Sequence, residues 1–323
     1  MELSPESVIS AILAGDQRAM AHAITAIENR EPEADELLRR LFPHSGRALL
    51  AGVTGAPGAG KSTLVDRLAA LLRKQEKTVG IIAVDPTSPF TGGAILGDRI
   101  RMLGHHGDAG IFIRSMATRG ALGGLARATS DVATLLDAAG KQVVLVETVG
   151  VGQDEVDIVR LADVTVVLLM PGTGDDVQTF KAGLMEIADV FAINKADRPG
   201  AERVEQELKA MLSISRRADG WQTPVVKTVA SEGAGVEELL AAVESYLAFL
   251  RERGLTAQKK AGHWRERLLE MLGDRMLARV VDGTLSDGAL AEYAARVATR
   301  QADPYSVVEE IMAKAGIRTE PLG

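Results

Sequence analysis

The 323-residue chain is long enough for one large domain or two modest ones, with a sizeable buried core. Apolar residues make up 46% and charged residues 25%, the proportions of an ordinary folded protein, which excludes disordered, collagen-like and fibrous classes. The net charge of −7, from 37 Lys plus Arg against 44 Asp plus Glu, argues against a general nucleic-acid or membrane-surface binder, and the absence of cysteine removes disulfides, thiolate metal sites and cysteine nucleophiles.

The N-terminal stretch MELSPESVISAILAGDQ carries Glu2 and Glu6 ahead of any basic residue and fits neither an export signal nor a transit peptide, so a cytoplasmic location is expected. Residues 4–42 predict short helices: Ser4-Pro5 is a cap and first-turn pair, Asp16 can cap a second helix and Pro32 can open a third. Pro43 and Gly46 break that pattern. From 49 to about 230, seven short apolar runs alternate with amphipathic segments: LLAGVTG, TVGIIAVD, GIFIR, QVVLVET, VTVVLLM, DVFAINK and PVVKTVA. Buried parallel strands separated by helices have this signature, so the expected fold is α/β with a mostly parallel central sheet. The longest strongly apolar stretch, Val164 to Met170, falls far short of the roughly 20 residues of a membrane helix. Beyond Gly235 the periodicity turns helical over Val236 to Leu250, Gln258 to Val281 and Asp287 to Thr299, with a last helix after Pro304. Three parts are expected: a helical N-terminal extension (1–46), an α/β nucleotide domain (47–250) and a helical C-terminal segment (251–323). No internal repeat or low-complexity tract is visible.

The strongest local signal is Gly55-Ala56-Pro57-Gly58-Ala59-Gly60-Lys61-Ser62, a complete G-x-x-x-x-G-K-[ST] between an apolar run and the helix-like LVDRLAALLRK, with Thr63 following. Its backbone N–H groups and the helix start suit phosphate oxygens, Lys61 suits the β/γ-phosphates, and the Ser62 hydroxyl suits Mg²⁺. Further acids stand at candidate metal positions. Asp85 ends the second run and Asp98 lies in a Gly-rich loop; either could equally be a helix cap. Glu147 ends the fourth run with Gly150 three residues on, an arrangement in which the acid serves Mg²⁺ and the Gly150 N–H meets a γ-phosphate.

Asn194-Lys195-Ala196-Asp197 forms an N-K-x-D element after the sixth run. Guanine offers N1–H and N2–H₂ to a carboxylate such as Asp197, whereas adenine would leave the acid unpaired, so GTP is the expected nucleotide. Ala230-Ser231-Glu232 stands where a second base-contacting loop belongs, although Ser231 could simply cap the next helix. Val151 follows Gly150, where Ras-like enzymes place a water-orienting Gln, and Gln153 lies farther on, so slow intrinsic hydrolysis is expected. ParA/MinD-like ATPases carry an early P-loop lysine where this chain has Ala56. Nickel-insertion GTPases commonly use Cys or His clusters; here Cys is absent, and the neighbouring His105-His106 pair reads as solvated loop. The cobalamin-binding D-x-H-x-x-G is also missing, so the chain is not expected to bind cobalamin as a mutase does.

Together, Gly55 to Ser62, AVDPTSPFTGGAILGDRIRM, TRGALGGL, ETVGVGQDE and NKAD resemble the MeaB/ArgK family of metallochaperone-type P-loop GTPases. The resemblance implies a Mg²⁺-dependent GTPase that binds an adenosylcobalamin-dependent acyl-CoA mutase, methylmalonyl-CoA mutase first among them, and gates loading, protection or replacement of its cofactor. It implies Ser62, Asp85, Asp98 and Glu147 as metal and switch residues, with Arg101 in the matching switch segment. Pro171 to Gly183 corresponds to a further switch facing the mutase, with Lys181 at the family's lysine position; Asp175, Asp176 and Lys181 suit an exposed helix start equally well. Trp264, Arg267 and Leu268 to Leu272 correspond to a dimerisation arm, so a homodimer is implied, though periodicity shows only an apolar face. The alternative is a transport-associated ATPase or kinase that phosphorylates a binding protein.

Overall fold

Local capping chemistry starts the chain's first helices, α1 (Pro5–Leu13), α2 (Gln17–Asn29) and α3 (Pro32–Leu41). Asp16 caps α2 by accepting from the Ala19 N–H at 2.8 Å, and Pro32 occupies the first turn of α3, where its missing N–H costs nothing. The apolar runs then form β1 (Leu49–Gly55), β2 (Val79–Asp85), β3 (Ile111–Ala117), β4 (Val143–Glu147), β5 (Val164–Leu169), β6 (Val190–Asn194) and β7 (Val225–Thr228). The structure is a computed structural model that describes residues 5–85, 105, 107–117, 124–148, 162–172, 187–214, 217–285 and 288–317.

The strands hydrogen-bond in the order β3-β2-β4-β1-β5-β6-β7, and all six pairings are parallel. Parallel neighbours require crossovers, supplied by α4 (Lys61–Lys74), α5 (Gly124–Ala138) and α6 (Ala201–Ile214), while α7 (Val236–Glu252) follows the last strand. The inner strands β1, β4, β5 and β6 are apolar on both sides because both faces are covered. On one face Val53, Ile81, Leu145, Val166 and Ala192 pack with Leu64, Leu68 and Leu72 of α4 and Leu239, Val243 and Tyr246 of α7. On the other, Ile82, Phe112, Val144 and Val146 pack with Leu135 of α5 and with Ile12, Met20, Ile24 and Leu41 of α1–α3. Those last four side chains are fully buried, and each contributes about 1.5–3 kcal/mol, so the first helices complete the sheet's core.

The chain divides into two compact units, Met1–Lys260 and Ala261–Gly323. The boundary falls inside the long helix α8 (Thr256–Thr284), which is followed by α9 (Ala289–Ala298) and α10 (Pro304–Lys314). In the second unit Asp303 caps α10 by accepting from the Tyr305 and Ser306 N–H groups, and Tyr293 of α9 is buried against Glu310 and Lys314. Helix α8 presents Trp264, Leu268, Leu269, Leu272, Met276 and Leu277 at 42–64% exposure, whereas Arg267 is buried. No helix among the described residues is long and apolar enough to cross a membrane.

A partly buried polar cluster around Asp189 closes the first unit behind β6. Asp189 is 3% exposed and meets Arg217 at 3.0 Å and Lys259 at 3.1 Å, while Arg217 also holds Asp219 at 2.7 Å. Burial pushes the Asp219 carboxyl upward, but the Arg217 hydrogen bond and the Trp221 N–H outweigh it and hold the group below its ordinary range. A folded value below the unfolded one gives stability that is present above the ordinary carboxylate value of about 4 and is lost as pH falls through the lower folded value. Unfolding midpoints in urea are therefore expected to fall as pH drops below about 4, and Asp219→Asn should flatten that dependence. An equally steep pH dependence in the variant would remove Asp219 from this role.

Candidate nucleotide-binding site

Parallel strands present their carboxyl ends on one edge of the sheet, and ligands in such folds bind where the strand order reverses. Here β1 is central, with β4 on one side and β5 on the other, and Val53 pairs with Glu147. The register thus delivers the Glu147 carboxylate beside the start of the phosphate loop. Gly55 ends β1 at φ +144°, where a Cβ would overlap the Leu168 carbonyl oxygen, and Gly60 opens α4 at φ +94°, where a Cβ would overlap the Asn194 side chain. Only glycine lets the loop turn this tightly against β5 and β6.

Lys61 is 6% exposed, and its Nζ donates to the carbonyls of Gly55 at 2.7 Å and Ala56 at 3.2 Å, so the ammonium lies within the loop. Ser62 Oγ donates to Glu147 Oε1 at 2.6 Å, with both residues buried. One hydroxyl and one carboxylate form an all-oxygen donor set of the kind Mg²⁺ accepts when phosphates and water complete its shell. The described residues contain no cluster of three acids or histidines that would serve a different metal. Behind this pair, Thr148 Oγ1 donates to Thr54 Oγ1 at 2.9 Å and the Thr148 N–H donates to the Val53 carbonyl, fixing the end of β4 against β1.

The N-K-x-D element joins the phosphate loop directly. Asn194 is 2% exposed: its Nδ2 donates to the Ala59 carbonyl at 2.8 Å, and its Oδ1 accepts from Thr228 Oγ1 at 3.1 Å and from the Ala230 N–H at 3.0 Å. One carboxamide therefore ties the phosphate loop, β7 and the 230 loop together. Lys195 stands in the left-handed region at φ +57°, and its Nζ reaches the Gly58 carbonyl at 2.6 Å. A non-glycine residue in that conformation is strained and is held there by its surroundings. Asp197 is exposed and makes no hydrogen bond to the described residues, as suits a carboxylate that faces a base.

The structure thus brings together the Gly55–Ser62 loop, Glu147, Asn194, Lys195 and Ala230, while Ala56, Pro57, Gly58, Thr63, Ser231 and Glu232 lie exposed around them. Asp98, Arg101, His106, Gly150, Val151, Gln153, Asp175, Asp176 and Lys181, together with the side chain of Asp85, lie outside the described residues. The reading of His105 as solvated loop is corrected: its side chain is 12% exposed and its Nε2 lies 2.9 Å from Asp66 of α4. That contact is to a residue 39 positions earlier in the chain, which local sequence does not show. Sequence reasoning also missed Arg67, whose guanidinium holds the carbonyls of Ala230 and Ser231.

A phosphate loop between the central strand and its helix, an acid at the end of the neighbouring strand and an N-K-x-D turn locked to that loop define a P-loop GTPase. The comparisons agree at a finer level. The chain belongs to the family of methylmalonyl-CoA mutase-associated GTPases, MeaB, whose sequence profile matches residues 20–284. A Pyrococcus abyssi protein provisionally named a GTPase is 48% identical over 310 residues, covering 95% of each chain. GTPase ArgK of Escherichia coli is 39% identical over 252 residues, 76% of each chain. The crystal structure of a LAO/AO transport system kinase superposes with a TM-score of 0.73 at 29% identity, covering 97% of this chain and 98% of that one.

Proposed function

We propose that this GTPase is a chaperone for an adenosylcobalamin-dependent acyl-CoA mutase, with methylmalonyl-CoA mutase as the foremost client, and that its nucleotide cycle gates loading, protection or replacement of the client's cofactor. The observation that carries the reading is the match of residues 20–284 to a mutase-associated family, on a chain that keeps the full phosphate loop and the Ser62–Glu147 pair.

In this reading the loop N–H groups and Lys61 bind and orient the triphosphate, and Lys61 offsets charge that develops on the transferred phosphoryl group. Ser62 and Glu147 hold Mg²⁺, which when bound neutralises phosphate charge. Asp197 selects guanine by accepting from its N1–H and N2–H₂ donors, and Asn194 and Lys195 keep the base turn docked on the phosphate loop. The Asp85, Asp98, Gly150 and Lys181 positions supply switch functions that respond to the client. The exposed apolar residues of α8, from Trp264 to Leu277, form a homodimer contact. The kinase alternative rests on one relative's name and on no feature of this site.

The test is phosphate release from GTP and from ATP, each with and without a purified adenosylcobalamin-dependent acyl-CoA mutase of the same organism. Slow GTP turnover accelerated by the mutase, with a far lower kcat/KM for ATP, is the expected result. A mutase that leaves GTP turnover unchanged refutes the client assignment, and a preference for ATP refutes the role given to Asp197.

A further inference from the structure

Arg67 lies on α4 beyond Lys61 and Ser62, on an amphipathic helix where an exposed arginine would ordinarily be a solvated charge. Its guanidinium instead grips a loop 163 to 164 residues away: Nε donates to the Ala230 carbonyl at 3.1 Å and Nη2 to the Ser231 carbonyl at 2.7 Å. That loop is tightly turned. The N–H groups of Glu232 and Gly233 both donate to the Val229 carbonyl, at 2.9 and 3.0 Å, and the Val229 N–H donates to the Ala234 carbonyl at 2.9 Å. The Ala230 N–H goes to Asn194. Ala230 is therefore gripped on both sides, its N–H by β6 and its carbonyl by α4.

A trans peptide points its N–H opposite its carbonyl. Fixing the Ala230 carbonyl on Arg67 thus also aims the Ser231 N–H, which, unlike the other N–H groups of residues 229–233, donates to none of the described residues. The planar fork of an arginine spans two successive carbonyls, whereas a lysine offers a single point charge.

We propose that Arg67 is a positioning residue for guanine recognition: it holds the Ala230–Ser231 segment in the orientation that meets the base and links that segment to the helix carrying Lys61 and Ser62. The inference rests on the reading of Ala230 to Glu232 as a base-contacting loop. It does not require Arg67 to touch the nucleotide. Loss of the fork frees the base loop and leaves the phosphate end intact, so substrate binding weakens while turnover at saturation is kept.

The test measures steady-state phosphate release from GTP and ATP, GDP affinity and thermal unfolding for the full chain carrying Arg67→Met, Arg67→Lys or Asp197→Ala. In Arg67→Met, KM for GTP and the Kd for GDP should rise about tenfold, with kcat within about twofold of the parent. The preference for GTP over ATP should fall by a similar factor, and Arg67→Lys should recover part of both changes. An unchanged KM and preference in Arg67→Met would overturn the proposal. So would a joint fall in kcat and melting temperature with the base preference intact, since that marks a general structural role. Asp197→Ala separates the two levels: if it abolishes guanine preference while Arg67→Met does not, only the Arg67 inference fails. If neither variant alters the preference, the base-site reading fails with it.

Discussion

Glu147→Gln is expected to slow phosphate release from GTP by about 100-fold or more, while GDP affinity changes far less. The substitution keeps the shape of the side chain but removes the negative charge that faces Ser62 Oγ at 2.6 Å. Both residues are buried, so water cannot replace the lost charge, and an electrostatic contribution in such a place is worth more than on the surface. The amide also brings an N–H₂ donor toward a hydroxyl that already donates, which disturbs the pair further. Because Ser62 and Glu147 are the residues assigned to Mg²⁺, the Mg²⁺ concentration that half-saturates turnover should rise in the same variant. Single-turnover phosphate release across a Mg²⁺ series, beside GDP titrations, measures both effects. A variant that turns over at the parental rate would remove Glu147 from the chemistry.

Asn194→Ala should be more damaging to binding than its distance from the phosphates suggests. The carboxamide satisfies the Ala59 carbonyl, the Thr228 hydroxyl and the Ala230 N–H at once, and its loss leaves three buried polar groups without their partner. Each such group costs about 1–3 kcal/mol. GTP affinity is therefore expected to fall by about 100-fold or more, accompanied by a lower melting temperature, because the phosphate loop and the 230 loop lose their common anchor. Asn194→Asp supplies a control, since it keeps the acceptor toward Thr228 and Ala230 but turns the group facing the Ala59 carbonyl from donor to acceptor. Calorimetric titration with GDP and a thermal scan decide the matter: parental affinity in Asn194→Ala would show that the base turn stays docked without it.

The sheet was legible in the sequence because strands covered on both faces are written as continuous apolar runs. All seven runs became strands, with shifts of at most three residues at their ends. The helix starts at Pro5, Gln17, Pro32 and Pro304 were legible for a local reason, because cap and first-turn chemistry is carried by neighbours in the chain, whereas the helix from Val236 was legible from its apolar periodicity. The phosphate loop and the N-K-x-D element were legible because their spacing reflects backbone geometry. What escaped were the couplings between distant segments. Arg67 bonds to backbone carbonyls, which carry no side-chain signature, and His105 lies against Asp66 of α4. The internal use of Asn194 was likewise hidden, since motif reading assigned it to the nucleotide while its carboxamide also joins three parts of the fold.

The partly buried cluster behind β6 bears on which substitutions the chain tolerates. Asp189 and Asp219 supply two negative charges, and Arg217 and Lys259 supply two positive ones. Asp189 is the deeply buried member, and removing both of its basic partners would strand its charge, which is far more costly than breaking a surface ion pair. Replacing one acid and one base together keeps the cluster neutral. Compensated replacements are therefore expected to disturb these residues, which join the start of β6, the segment before β7 and the first turn of α8, less than single ones.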